Sequence, residues 1–494
     1  MTSDAKKQLG KALHLRDIGE VDKAWAIVNK LLLDNPMDSE FLFAAGWIYE
    51  KAGNIPVAYH LYKQAVEQNP KNAEAMLNFG QQAEEMWRVT EAERAYEKAI
   101  RLSTSVKTTN AAYGNLSALC IDNGRWDEAE SWCRKALAKD PEFKVAKTNL
   151  GFSQLATGNF KEGWANYHAS LGCSWRQVNQ YGKEPEWDGS PDKTVVLYGE
   201  QGLGDEICFA SMIEDASKLC KRVILDCDPR LKNLFRRSFP KLHVYGTRGD
   251  KELKWAKEDQ VFDASLALGQ VGEFLRTSSD TFPRKPYLIS DPNRTLMWKA
   301  LFASKNKPVI GIAWTGGTWK SGKKFKSCGL EDFKPLFDRI DAHYVSLQYK
   351  PSAAEAKAFG VAEYKYATLT DDYDDTAAMV AALDAVVTVP TAVAHLAGAL
   401  GVPTFALNAK VKCWKYNAGN PFHPSNNVSW KGSWPETIES AVPEIKECCA
   451  SSSASIPANQ LPTTSSSTPS LETVVNLLPS PPSSSPPSRL NGEG

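Results

Sequence analysis

No run of about eighteen apolar residues occurs anywhere in the 494-residue chain, so no stretch reads as a membrane-spanning helix. The opening MTSDAKKQLGKALHL carries charges where a secretory leader needs an apolar core. A soluble, cytoplasmic protein is expected. There is no excess of either sign either: 58 basic residues balance 58 acidic ones. Nothing global therefore points to nucleic acid or an acidic membrane surface. The ten cysteines lack paired metal-ligand spacing, and their one close pair, Cys448-Cys449, is adjacent. Buried free thiols and no bound metal are expected.

What is present is periodic. Gly19-x-x-x-x-Ala24, Gly53-x-x-x-x-Ala58 and Trp87-x-x-x-x-Ala92 follow one another at 34 residues, and Asp34-Asn35-Pro36 returns as Gln68-Asn69-Pro70 at the same step. This is the tetratricopeptide period. The phase slips once, by three residues, between Ala92 and Ala129, and the extra residues are assigned to the stretch 103–107. Gly46, Gly80, Ser117 and Gly151 in the first helices, and Ala24, Ala58, Ala92 and Ala129 in the second, are small where two helices must cross closely. Gly163 replaces the last alanine. About five helix pairs are predicted over residues 1–172, forming an α-helical solenoid whose groove suits a protein partner.

The pattern then changes. Thr194-Val195-Val196-Leu197-Tyr198 reads as a buried strand running into the turn Gly199-Glu200-Gln201-Gly202-Leu203-Gly204-Asp205 and a helix from about Glu206. Further strands are predicted at 223–227, 242–245, 308–314, 344–348, 385–389 and 404–407. Alternation with helices implies parallel sheets in two lobes, 173–290 and 291–446, with ligands at the carboxyl ends of the strands. From 447 a Ser/Pro-rich tail is expected to be disordered, as a linker or inert tail, or as a source of hydroxyl acceptors.

The segment 185–432 resembles the glycosyltransferases of the type that includes the bacterial heptosyltransferases. Its carriers are Trp187-Asp188-Gly189, the turn 199–205, Gly311-Ile312-Ala313-Trp314, Asp374-Asp375-Thr376-Ala377-Ala378, Leu383 to Val387, and Thr391-Ala392-Val393-Ala394-His395-Leu396-Ala397-Gly398. More distantly, the pairing of repeats with two lobes is similar to the enzyme that places N-acetylglucosamine on protein serines and threonines. The resemblance implies a GT-B fold of two Rossmann-like lobes and a metal-independent, inverting transfer from a nucleotide-diphosphate sugar to a protein or glycan. No cofactor is implied beyond the nucleotide sugar.

On that resemblance Asp205 is the base that deprotonates the acceptor hydroxyl, or simply an N-cap for the following helix. Gln201, Gly202 and Gly204 would border the acceptor. Thr391 and Ala392 would offer a helix N-terminus to the diphosphate, although a threonine there can equally be an ordinary cap. His395 would donate to a phosphate or sugar hydroxyl, and Gly398 would allow close approach, though packing explains it as well. Thr315 and Gly316 would line the donor site, with Lys326 matching a basic position of the family better than Lys320, Lys323 and Lys324, and Trp414, after Lys410 and Lys412, near the base. Asp375-Thr376 reads as a helix cap. Where many members carry an acid before the threonine, this chain has Pro390. That departure supports the rival expectation, an interaction scaffold with a degenerate transferase domain.

Overall fold

The computed structural model describes residues 2–250, 252–258, 262–316, 326–350, 352–409, 413–417 and 422–453. Ten helices come first, in antiparallel pairs: α1 Ser3–Asp17, α2 Val21–Asp34, α3 Ser39–Lys51, α4 Ile55–Gln68, α5 Ala73–Glu85, α6 Val89–Leu102, α7 Val106–Asp122, α8 Trp126–Lys139, α9 Lys144–Thr157 and α10 Phe160–His168. Side chains of Asp38, Asn54, Asn72 and Ser105 cap α3, α4, α5 and α7 by accepting from otherwise unpaired N–H groups. Ala24, Ala58, Ala92 and Ala129 are wholly buried. A side chain on Gly46 would fall 2.7 Å from the Tyr62 ring, and one on Gly80 would fall 2.6 Å from that of Tyr96, so the small residues make room for tyrosines of the partner helix. The phase slip is absorbed inside an element. α7 has 17 residues where α3 and α5 have 13, so the inserted residues extend its first turn instead of lengthening a loop.

Two parallel sheets follow. Strands β1 Thr194–Tyr198, β2 Arg222–Asp226, β3 His243–Tyr245 and β4 Ala264–Ala267 form the first, in the order β3-β2-β1-β4. Strands β5 Val309–Ala313, β6 His343–Ser346, β7 Ala362–Glu363, β8 Ala385–Thr388, β9 Thr404–Leu407 and β10 Asn426–Val428 form the second, in the order β10-β9-β8-β5-β6-β7. Strands β1, β5, β8 and β9 are buried throughout, as a sheet covered on both faces requires. Strands β4, β7 and β10 are additional to those expected from the sequence. The helix Trp434–Ser453 runs past residue 447, where composition places the start of the tail, and Cys449 is buried against the second sheet's core. The rest of the tail lies outside the described residues.

The solenoid is not tethered to the first sheet by a loose linker. Trp164 of α10 is fully buried, donates from Nε1 to the Arg276 carbonyl at 2.9 Å, and occupies the space a side chain on Gly272 would need. Arg176, also without exposure, donates to the Tyr167 carbonyl at 3.0 Å and to Ser170 Oγ at 2.8 Å, and pairs with the buried Glu200 at 3.2 Å. Phe160, Trp164 and Tyr167 share one continuous core with Val195, Leu197 and Phe209.

The two sheets are pinned to each other as well. Arg237 makes two contacts with the Asp374 carboxylate, and Arg294 pairs with Asp375. Tyr287 and Leu288, on the connection between the lobes, both donate to the Ala399 carbonyl, and the Tyr287 hydroxyl donates to Ile207 O at 2.8 Å. Asp375 is therefore an ion-pair partner, and the cap of the helix Tyr373–Val380 is Asp372, whose carboxylate accepts from Asp374 N at 3.0 Å.

Candidate functional site

In each sheet the strand order reverses about its first strand, between β1 and β4 and between β5 and β8. Connections leave in opposite directions at such a point and open a crevice at the carboxyl ends. The turn 199–205 leaves β1, Thr315-Gly316 leaves β5, and Pro390-Thr391 leaves β8, so the sequence-predicted residues gather at the two switch points.

They are in contact there. The helix Leu203–Phe209 lies on the helix Ala392–Leu400 so closely that a side chain on Gly204 would stand 3.0 Å from Ala392 Cα. Gly204 thus seats one lobe on the other. A side chain on Gly316 would fall 2.3 Å from Thr391 Cγ2, and the Gly316 N–H donates to Ser327 Oγ at 3.3 Å, bringing the Lys326-Ser327 step beside the β5 turn. Thr391 is the N-cap residue of its helix, yet its hydroxyl makes no capping bond and lies 3.3 Å from that of Thr388. The Thr315 hydroxyl faces the buried Gln348 amide at 3.3 Å. Asp122, at the end of α7, feels the Lys326 charge, although burial is the larger influence and raises its carboxyl above the ordinary range.

Asp205 stands in the first turn of the helix Leu203–Phe209, whose N-cap is Gly202. It is therefore not the cap. A negative charge is favoured there by the helix dipole. One oxygen of Asp205 pairs with Lys415, from the short helix Trp414–Asn417 of the second lobe. The lysine side chain is 8% exposed and the aspartate 30%. The ammonium lies 5.0 Å from the Phe209 ring centre and 5.5 Å from that of Trp414. Burial opposes its charge, but Asp205, with Tyr167 and Cys208 behind it, outweighs that and holds the ammonium above its usual range.

Other predicted residues are placed in the protein's own packing. The Gln201 side-chain amide donates to the Tyr167 hydroxyl at 2.7 Å and to Glu200 at 2.8 Å, and the Gln201 backbone carbonyl accepts from Arg248. Arg248 also pairs with Glu206 at 3.0 Å and Asp228 at 2.6 Å, clamping the turn from beneath, while burial pushes the Glu206 carboxyl up to about 8. His395 uses both ring nitrogens internally, Nδ1 with His423 at 3.0 Å and Nε2 with the Tyr416 hydroxyl at 3.1 Å. Burial holds it well below its ordinary pKa and therefore neutral. Gly398 is small because a side chain would fall 2.0 Å from His423 Nδ1. Trp414 is buried edge-on against Trp164 and Tyr167 of the solenoid and Phe422. Lys320, Lys323, Lys324, Lys410 and Lys412 lie outside the described residues. The structure adds Lys415, Tyr416, Ser327 and His423 to the residues expected here. Only Lys415 offered a signal, as the third lysine of its loop.

Among the described residues no group of three or more His, Cys, Asp or Glu side chains is placed to hold a metal ion, and no helix is long and apolar enough to cross a membrane.

Residues 9–73, 44–104 and 77–142 match the tetratricopeptide repeat family model, which establishes the nature of the solenoid. The chain is 26% identical over 386 residues to Protein FlbA of Caulobacter vibrioides, a match covering 72% of this chain and 64% of that protein. The chain thus spans somewhat less than two thirds of that relative. Among solved structures, a crystal structure of MamA is 24% identical over 32% of this chain and 91% of its own, with a TM-score of 0.30. YrrB, described as a TPR protein with an unusual peptide-binding site, is 18% identical over 33% and 82%, with a TM-score of 0.29.

Proposed function

We propose that this protein is a metal-independent, inverting glycosyltransferase of GT-B architecture that takes a nucleotide-diphosphate sugar and modifies a polypeptide held by its solenoid. The observation that supports this best is convergence. A partly exposed carboxylate on one lobe and an N-terminal helix end on the other come together at two topological switch points, with the Lys326-Ser327 step beside the β5 turn and the Lys326 charge felt at the end of α7. In this reading the acceptor hydroxyl attacks the anomeric carbon while Asp205 takes its proton. The diphosphate leaves toward the N–H groups that open the helix Ala392–Leu400, with Lys326 offsetting its charge. The docked repeats favour a polypeptide over a glycan as acceptor, since they end beside the lobe that carries the base.

Incubation with a panel of nucleotide sugars and candidate polypeptides, followed by mass spectrometry, should show a sugar-sized mass gain. Asp205→Asn should lower turnover by about 100-fold or more. Undiminished transfer by that variant would remove Asp205 from the mechanism. Calorimetry with nucleoside diphosphates bears on the rival: a scaffold with a degenerate domain need give no binding heat and would show no transfer.

A further inference from the structure

The pair Asp205–Lys415 crosses from one lobe to the other, and its two members differ in exposure. The lysine is nearly enclosed, whereas almost a third of the aspartate side chain remains open.

We propose that Lys415 is a positioning residue for the transfer reaction, fixing one oxygen of Asp205 so that the other is aimed at the acceptor hydroxyl. This rests on the reading of Asp205 as the base. The lysine can do so because its own place is over-determined. Trp414 before it is wedged against Trp164 at 5.7 Å and Tyr167 at 5.9 Å between ring centres, and Tyr416 after it is tied to His395 at 3.1 Å. Its ammonium also faces the Phe209 ring of the helix that carries Asp205. A carboxylate on a short first turn has rotational freedom of its own, and a misplaced catalytic group costs rate out of proportion to its displacement. The segment that supplies the lysine belongs to the second lobe but is packed on the solenoid. Asp205 is therefore aimed only when all three parts of the molecule are docked.

The test compares the whole protein with Lys415→Met, which keeps the buried stem and removes the charge, and with Lys415→Arg. Crystal structures should show the Asp205 side chain leaving its single position in the methionine variant and keeping it in the arginine variant. The methionine variant should lose about 100-fold in kcat, with donor KM changed less than about two-fold, and the arginine variant should recover part of the loss. An unmoved Asp205 in Lys415→Met, or an unchanged kcat where Asp205→Asn is inactive, would overturn the proposal. If Asp205→Asn leaves transfer intact, the base assignment fails, and the crystal structures still decide whether the lysine orients the carboxylate. Should Lys415→Met not fold, Lys415→Gln takes its place. Failure of both to fold would show that the lysine serves the fold, and would also overturn it.

Discussion

Gly398, in the helix Ala392–Leu400, has no side chain because the His423 ring already fills the space. Gly398→Ala should displace His423, break its bond to His395, and cost about 1–3 kcal/mol, read from urea midpoints at constant m-value. The same variant carries a pH signature. Burial pulls His423 down to about 4, below its unfolded value of 6.5, so the unfolded chain binds the extra proton between those limits. Stability from this group is present above about 6.5 and lost as pH falls toward 4. In Gly398→Ala that slope should flatten, because the displaced ring titrates closer to its ordinary value. An undiminished slope would mean the ring had stayed buried. At this scale the sequence disclosed the helix and its Thr391 end. It did not disclose the partners of His395 and Gly398, because His423 and Tyr416 follow many residues later, in a loop with no periodicity to place them.

Among the elements, the solenoid was the most legible, since its period is carried by residues whose size is dictated by helix crossing. The strands missed were those without β-branched runs. Ala-Ser-Leu-Ala of β4, Ala-Glu of β7 and Asn-Asn-Val of β10 enter their sheets because neighbouring strands accept them, not through propensity. Within the solenoid the tyrosines that fill the glycine notches also reach acidic groups. Tyr62 donates to Glu50 at 2.5 Å, and Tyr96, one repeat later, to Glu84 at 2.6 Å. Burial raises the Glu84 carboxyl to about 7 from 4.5, so the folded state holds a proton that the unfolded state has released. Stability is therefore lost as pH rises from about 4.5 to 7. Glu84→Gln should be close to neutral at pH 4.5 and stabilising at pH 8, by up to about 3 kcal/mol at the rate of 1.36 kcal/mol per pKa unit. Equal destabilisation at both pH values in urea melts would show that the carboxylate is worth more to Tyr96 than its burial costs.

For the molecule as a whole, the consequence lies in the join between repeats and sheets. Residues 1–450 form one compact unit, and the last helix pair supplies Phe160, Trp164 and Tyr167 to the core of the first sheet. A chain starting at residue 173 would expose the seat of the Trp164 ring and leave the buried Arg176–Glu200 pair without the Tyr167 carbonyl that holds the arginine. Apolar surface of the first sheet's core that the last helix pair covers would also meet water. Such a chain should be insoluble or bind hydrophobic dyes. Removing α1 to α4 should behave differently. Their cores are built from Ala12, Val28, Ala44 and Ile48, or face the next repeat through Tyr59 and Tyr62, and none belongs to the core that includes β1. The shortened protein should keep the near-ultraviolet signature of the sheets and lose only helix content, because nearest-neighbour stacking makes repeats separable where a shared core does not. If residues 173 onward fold alone, the repeats are an appendage and Lys415 cannot depend on them. If both truncations unfold, cooperativity runs the full length of the solenoid.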